Sequence, residues 1–437
     1  GFARRLDGYP GAPNVRIVRL DCGGERFLPK IALWPHIGTE WLPNAVAFYA
    51  EEGTRPDLVT AHYADSGLAA ALWRARGGPP FTFTAHSLGA QKLERLLAGE
   101  AGSLAELDAR FHFARRIAAE RVAMAGAARV VTSTRQERFE QYAHPAYAGA
   151  ADPADDGKFA HIPPGVNLAV FDADVRSAQE ERAVERVERA LARDLAPDRR
   201  DLPVVVCSSR LEVKKNHVGL VRAFAASEAL RSAANLLLVV HDAEGLRAGP
   251  RLSAVERRLL AQITATLEAH DLWGAVASVS LERQGELAAA YRGLSGRHSV
   301  FALPALYEPF GLAPLEAMAA GLPVVATRRG GPSETLRDAE GGEYGVLVDP
   351  SDPQDIARGL LRLVGPGNEW ARFATAGRRR VLERYTWERT AEGYATLARA
   401  LAEGAALAGG AEAIPSYFTE PRADNDPGLE ALAGAFA

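Results

Sequence analysis

Short apolar runs rich in Val, Leu and Ala recur along this chain, separated by longer stretches that mix apolar and charged positions at helical spacing. In the first half the runs fall at residues 15–21, 58–63, 81–86, 129–134 and 160–163. In the second half they fall at 204–209, 235–242, 276–281, 299–306, 323–327 and 345–349. Most are apolar nearly throughout rather than alternating, as strands buried on both faces of a parallel sheet should be. Amphipathic stretches at 104–128, 218–229, 256–268 and 313–320 supply covering helices. This alternation predicts an α/β protein built on parallel sheets.

Between the two strand series lies 172–201, charge-dense and without a strand run. Within it, 180–192 predicts one exposed helix carrying opposite charges at close spacing. The expected organisation is an N-terminal domain over 1–168, a connection over 169–201, a second domain over 202–385 and a final segment over 386–437. That final segment offers one helical stretch, 387–407, and then Ala- and Gly-rich sequence that reads as coil. No internal repeat of about 20 to 50 residues is visible, so a solenoid or propeller is not expected.

The length of 437 residues suits two or three domains of about 150 residues each. Lys and Arg number 51 against 55 Asp and Glu, a net charge of −4, which argues against a nucleic-acid binder. Only Cys22 and Cys207 are present, so a disulfide framework is excluded and a reducing compartment, hence a cytoplasmic location, is expected. No uncharged apolar run is long enough to predict a membrane span. The start, Gly1-Phe2-Ala3-Arg4-Arg5, is no secretory signal and lacks Met, so the chain reads as processed or as a fragment.

Three strings carry candidate chemistry, each placed after a strand and before a helix. The first is Tyr307-Glu308-Pro309-Phe310-Gly311-Leu312-Ala313-Pro314-Leu315-Glu316. Glu308 is expected at the carboxyl edge of a strand, where ligands bind in open α/β sheets. Gly311 lets backbone amides approach a ligand, and the helix start behind it favours negative charge. Glu316 is expected on that helix's first turn. Either Glu alone is also explained as an acid favoured by the helix dipole, but the whole string, with Gly330-Gly331 beyond it, is too specific for that.

The second string is Ser208-Ser209-Arg210-Leu211-Glu212-Val213-Lys214-Lys215-Asn216. Its cations converge near a strand end, which suits a diphosphate; alone it also reads as a solvated basic helix start. The third is Thr84-Ala85-His86-Ser87-Leu88-Gly89-Ala90-Gln91-Lys92. It nearly fits the nucleophile elbow of α/β-hydrolases, with Ser87 as nucleophile, except that Ala85 replaces the first glycine.

The first string resembles the nucleotide-sugar signature of retaining glycosyltransferases of family four. The resemblance implies that Glu308 contacts the donor sugar and Glu316 the ribose. It implies that Phe310, Gly311 and Leu312 meet the sugar and phosphate region, and that Arg210 and Lys215 stabilise the departing nucleoside diphosphate. Within that family the third string, with Lys92-Leu93-Glu94 and a Leu pair, is similar to sucrose-phosphate synthases. Sucrose synthases are a weaker match because they usually lack this arrangement. Agreement extends over roughly residues 13–390, through Pro29-Lys30, His62-Tyr63-Ala64-Asp65-Ser66-Gly67, Arg115-Arg116-Ile117, Ser133-Thr134-Arg135-Gln136-Glu137 and Pro163-Pro164-Gly165-Val166-Asn167.

The family resemblance implies a GT-B fold, two Rossmann-like domains facing across a cleft, with the last helix crossing back to the N-terminal domain. It implies that His86 contacts the transferred sugar while Lys30, Tyr63, Ser87, Lys92 and Arg116 surround fructose 6-phosphate. The implied activity moves glucose from a nucleoside diphosphate, UDP-glucose first, to fructose 6-phosphate with retention at the anomeric carbon. The nucleotide sugar is then a substrate, no cofactor or metal is required, and the partners are small molecules rather than nucleic acid or membrane.

There are departures. Ala114 stands where some members have a further cation. The strand, glycine-rich loop and helix that open the family, about 30 residues, are not seen before residue 15. No phosphatase-like Asp-x-Asp-x-Thr region follows the last helix, so a separate sugar phosphatase is expected. The pairs Asp172/Asp174 and Asp424/Asp426 fall in expected coil and do not predict a metal site. Competing readings are mannosylfructose-phosphate synthase or another compatible-solute transferase, the Ser87 hydrolase, and a catalytically silent regulatory protein.

Overall fold

The computed structural model describes residues 5–25, 27–99, 101–176, 180–404, 412–429 and 434–436. The chain divides into two compact units, Gly1–Ile162 with Tyr394–Ala437, and Pro163–Gly393. Each unit is built on its own parallel sheet.

In the first unit the sheet runs in chain order: β3 (Val59–His62), β4 (Phe81–Thr84), β5 (Arg129–Thr132) and β6 (Phe159–His161), all parallel. Helices Tyr63–Ala75 and Phe113–Gly126 pack together and bury small residues such as Ala71, Ala119 and Ala123, which permits close approach. Phe81, Phe83, Leu93, Ile117 and Tyr147 fill the core beside them.

The second unit holds six parallel strands in the order β12-β11-β10-β7-β8-β9. These are β7 (Val204–Ser208), β8 (Asn235–Val239), β9 (Val276–Val279), β10 (Val300–Leu303), β11 (Val324–Thr327) and β12 (Val346–Val348). Residues of β7, β8, β9, β10 and β11 are buried throughout, as their mostly apolar sequences require. The order is that of a Rossmann sheet, and the direction of winding reverses between β7 and β10. In open α/β sheets ligands bind at the carboxyl ends of the strands that flank such a switch point.

Four expectations are corrected. The run at 15–21 is not in a parallel sheet. It belongs to β2 (Ala12–Val18), which pairs antiparallel with β1 (Leu6–Tyr9) across a turn where Gly11 has φ +76°. Val15 and Ile17 alternate with polar neighbours and stay exposed, so this hairpin has no second layer to make it a buried strand.

The helix expected over 104–128 is two helices, Leu104–Phe111 and Phe113–Gly126, broken at a left-handed His112 with φ 53°. Asp108 holds the break: its carbonyl accepts from His112 N at 2.7 Å and its carboxylate from Ala114 N at 2.7 Å.

The connecting helix is Glu180–Asp194, and it is not simply exposed. Ala183, Val187, Ala190 and Leu191 form a buried stripe at helical spacing against β9 and the helix Gln284–Ser295. The dense charges hid an apolar face narrow enough to miss. Residues expected to link the domains thus belong to the second unit.

The final helix is Trp387–Ala402, which begins in the second unit and ends in the first. Residues 405–407 of its expected span lie outside the described residues. The following segment is packed rather than loose: Tyr417 and Phe418 bury with Trp34 and Leu68, and Arg115 binds Asp426 through two 2.7 Å bonds.

Candidate active site

The second unit's site begins at β7. Past Ser208 the chain makes a tight turn over Val213–Lys215 and reaches Asn216, left-handed at φ 59°, which starts the helix His217–Ala226. Asn adopts this conformation at little cost, and its side chain uses the position. Asn216 Nδ2 donates to Pro304 O and to Pro350 O, both at 2.9 Å, tying together the loops that follow β7, β10 and β12. Leu306 N donates to Lys214 O at 2.8 Å and adds a second tie between the first two.

These ties bring Lys215 Nζ to 2.6 Å from Glu308 Oε2, across 93 positions of sequence. The side chains are only 17% and 12% exposed, so the pair is poorly screened by water. Glu308 is fixed by its own backbone: its N–H donates to Arg329 O at 3.1 Å, and its carbonyl accepts from Gly331 N at 2.9 Å. A Cβ at Gly330, where φ is +100°, would stand 2.0 Å from Glu308 O, so glycine is obligatory there.

Gly311, at φ 96°, precedes the helix Leu312–Ala319. Glu316 is its fifth residue, one turn deeper than the expected first turn, because helical geometry already begins at Leu312. Burial pushes the Glu316 carboxyl up to about 7. Phe310 is buried against Tyr385, with ring centroids 6.0 Å apart, which leaves its backbone rather than its ring for a ligand. Leu312 is partly exposed. Arg210 stands apart from the Lys215–Glu308 pair: its side chain is 76% exposed and binds Glu212 at 2.8 Å.

In the first unit β3 and β4 end side by side, with His62 opposite Thr84 in the register. Both chains then turn through strained left-handed residues, Tyr63 at φ 68° and His86 at φ 56°. His86 Nε2 comes to 2.8 Å from His62 Nδ1. Tyr63 lies 4.8 Å from the His86 ring, and Lys30 sits 4.2 Å over the Tyr63 ring while pairing with Asp65 at 3.1 Å. Burial, with His62 and Lys30 nearby, lowers the His86 pKa to about 4. Lys30, Tyr63 and His86 therefore form one cluster.

Ser87 and Arg116 form another. Arg116 Nη2 donates to Ser87 O at 2.5 Å and lies 3.4 Å from its hydroxyl, while Arg116 Nε donates to Glu120 at 2.8 Å. Glu120 is fully buried and accepts twice from Gly89 N, at 3.0 and 2.9 Å, and once from the Tyr147 hydroxyl. The Lys92 ammonium lies 5.4 Å from the Phe111 ring and 6.0 Å from that of Phe113.

This geometry overturns the hydrolase reading. A nucleophile elbow strains the nucleophile itself and gives it a base. Here the left-handed residue is His86, and the Ser87 hydroxyl meets a guanidinium.

Asn216 and His62 stood in quoted strings without a role of their own, and Glu120 was passed over altogether. The Lys-Asn step before a helix was the signal for Asn216, and the 62–67 string was the signal for His62. The Asp-x-Asp pairs are taken by arginines. Arg378 binds Asp172 at 3.0 Å and Asp174 at 2.7 Å, while Asp424 and Asp426 face Arg422 and Arg115. Among the described residues no three potential ligands gather as a metal group, and no helix is long and apolar enough to cross a membrane.

Two Rossmann-like units with charged strings at their strand ends suit a sugar transferase, and residues 192–380 match the family "glycosyl transferases group 1". Residues 3–144 match "glycosyl transferase 4-like domain". The protein is a hexosyltransferase of the GT-B fold.

It is 37% identical over 397 residues to the probable sucrose-phosphate synthase of Thermosipho melanesiensis, covering 91% of this chain and 82% of that one. The chain belongs to the sucrose-phosphate synthase family. It is also 32% identical to the sucrose-phosphate synthase of Zea mays, over 89% of this chain but only 40% of that longer protein.

Among solved structures, sucrose-phosphate synthase from Thermosynechococcus elongatus superposes with a TM-score of 0.67 at 24% identity, covering 92% of this chain and 86% of the other. Anabaena HepE, solved with UDP and glucose, gives 0.56 at 18% identity over 86% and 84%. These two share the fold.

Proposed function

We propose that the protein transfers glucose from UDP-glucose to fructose 6-phosphate, releasing UDP and sucrose 6-phosphate with retention at the anomeric carbon. The observation that carries this reading is the Lys215–Glu308 pair at the sheet's switch point, inside the strings the family uses for a nucleotide sugar. The relative from Thermosipho, named for this activity and matched over most of its length, supports the choice of substrates.

In the proposed mechanism Lys215 exchanges partners. Without ligand its charge is held by Glu308; with the donor bound it turns to the diphosphate, and Glu308 is freed to accept from sugar hydroxyls. Arg210, mostly exposed on its loop, folds onto the same diphosphate. The anomeric carbon–oxygen bond to the diphosphate breaks as that to the acceptor's anomeric hydroxyl forms. The proton of that hydroxyl passes to the leaving diphosphate on the same face. The two cations stabilise the charge developing on the leaving group, which is where electrostatic catalysis is most effective. Glu316 takes the ribose diol, Phe310 and Gly311 offer backbone, and Leu312 borders the sugar.

On the first unit His86 meets the transferred sugar, while Lys30, Tyr63, Ser87, Lys92 and Arg116 hold fructose 6-phosphate. Glu120 and Ser87 occupy Nε and Nη2 of Arg116, which leaves Nη1 for the phosphate. A separate phosphatase consuming the product, and a cytoplasmic location, belong to the same proposal; both cysteines are free thiols, which suits the latter.

The test is a matrix of UDP-, ADP- and GDP-glucose and GDP-mannose against fructose 6-phosphate, fructose and 3-phosphoglycerate, read as nucleoside diphosphate release. Turnover confined to a glucose donor with fructose 6-phosphate supports the proposal. Preference for GDP-mannose, or for another acceptor, overturns it.

A further inference from the structure

His62 has no part in the mechanism above, yet it makes the closest side-chain contact to His86. The 2.8 Å separation of His62 Nδ1 and His86 Nε2, with ring planes only 17° apart, sets the imidazoles edge to edge in almost one plane. In that arrangement one nitrogen carries a proton and aims it at the other's lone pair. The placement follows from the backbone. His62 closes β3 opposite Thr84, and the left-handed turn at His86 carries its ring back beside the neighbouring strand. Ser66 Oγ donates to the His62 carbonyl from the helix that follows, which steadies the strand end.

The charged and titratable groups around the pair are few. From the Lys30–Ala32 turn comes Lys30; from helix Tyr63–Ala75 come Tyr63 and Asp65. Asp65 is paired with Lys30, so no carboxylate bonds either imidazole among the described contacts. Both rings have lowered pKa values, through burial first and, for His86, through His62 and Lys30 as well. At neutral pH the two are uncharged and share a single hydrogen between the facing nitrogens.

We propose that His62 is a positioning residue for His86, fixing the plane and the tautomer of the His86 ring, so that Nδ1 is the nitrogen His86 presents to the transferred sugar. This rests on the reading that His86 contacts that sugar. The reason is general: the hydrogen bond made by one imidazole nitrogen decides the proton at the other. A ring free to flip would offer a donor or an acceptor at random.

The experiment uses the full chain with 15N-labelled histidine and compares wild type with H62N and H62L. Asn places an amide near the position of Nδ1, whereas Leu keeps bulk without a hydrogen bond. Long-range 1H–15N spectra report which His86 nitrogen is protonated, independently of activity. Thermal melts confirm that both variants fold.

The expected result is one His86 tautomer in wild type and in H62N, and a mixture in H62L. H62L should lose kcat about tenfold, the scale of one hydrogen bond, with the KM of both substrates unchanged, and H62N should recover most of it. A single unchanged tautomer in H62L, or wild-type kcat in H62L while H86A is inactive, overturns the proposal. If H86A itself transfers normally, the placement of His86 at the sugar fails instead, and the spectra still decide whether His62 holds the ring.

Discussion

Lys215 and Glu308 hold one another at 2.6 Å with little solvent access, so removing either leaves a charge without its partner. Lys215→Ala is expected to lower kcat by about 10²–10³-fold, the range for losing one preorganised charge-stabilising group, and steady-state assay of UDP release checks it. Glu316 supplies a pH dependence. Its carboxyl titrates near 7 in the folded protein because it is buried, against 4.5 ordinarily. A raised pKa means the folded chain keeps a proton that the unfolded chain releases, so this group's contribution to stability is full below about 4.5 and lost as pH rises through 7. A ribose diol donates to the ionised form, so donor binding should strengthen from pH 6 to pH 8 while ligand-free stability falls. Glu316→Gln should flatten both trends; a donor KM as pH-dependent as wild type in that variant would refute the assignment. Glu308, Glu316, Arg210 and Lys215 are legible in the sequence because each lies in a short string at a strand end. The contact between Lys215 and Glu308 is not, since 93 residues of chain must first fold. Nor is Arg210's exposed pose.

Among the elements, the turns between strand and helix carry the demanding geometry. Asn216 is left-handed and donates twice across loops. Asn216→Gly preserves the backbone and loses both bonds, a cost of roughly 1–3 kcal/mol; Asn216→Ala adds the strain of a left-handed residue with a Cβ. Both should lower the melting temperature, Ala at least as much as Gly, and both should weaken UDP binding by calorimetry. Gly330→Ala meets the Glu308 carbonyl directly and should cost about 2 kcal/mol or more, with Glu308 displaced and donor KM raised. Unchanged stability in that variant would mean that the loop is not held as described. The strands of the second unit's sheet are legible because they are buried on both faces and mostly apolar, whereas β3 and β6 of the first sheet are partly exposed. The break at His112 escaped the pattern, since helical periodicity continues across it and only Asp108 reveals the stop. The buried stripe of Glu180–Asp194 escaped for the opposite reason: abundant charge on three sides masked four apolar positions.

For the whole molecule, two units with separate cores should respond separately to perturbation. Phe418 is fully buried beside Trp34 in the first unit although it lies near the end of the chain. Phe418→Ala should destabilise that unit by about 3–5 kcal/mol, whereas UDP at a hundred times its Kd should raise the stability of the second unit by about 2.7 kcal/mol. Differential scanning calorimetry with and without UDP separates the two effects, and a Phe418→Ala variant that melts like wild type would show that the last segment does not brace the fold. Periodicity and composition determined by themselves an α/β architecture with two parallel sheets, and the three strings, through their resemblance to a known family, pointed to the transferase and to its residues at the strand ends, because these are properties of consecutive residues. Tertiary structure decided the pairing of Lys215 with Glu308, the meeting of His62 with His86, the anchoring of Arg116 by Glu120 and the docking of residues 412–429. Those depend on strand order and register, which place side chains from distant segments within hydrogen-bonding distance and which no local pattern records.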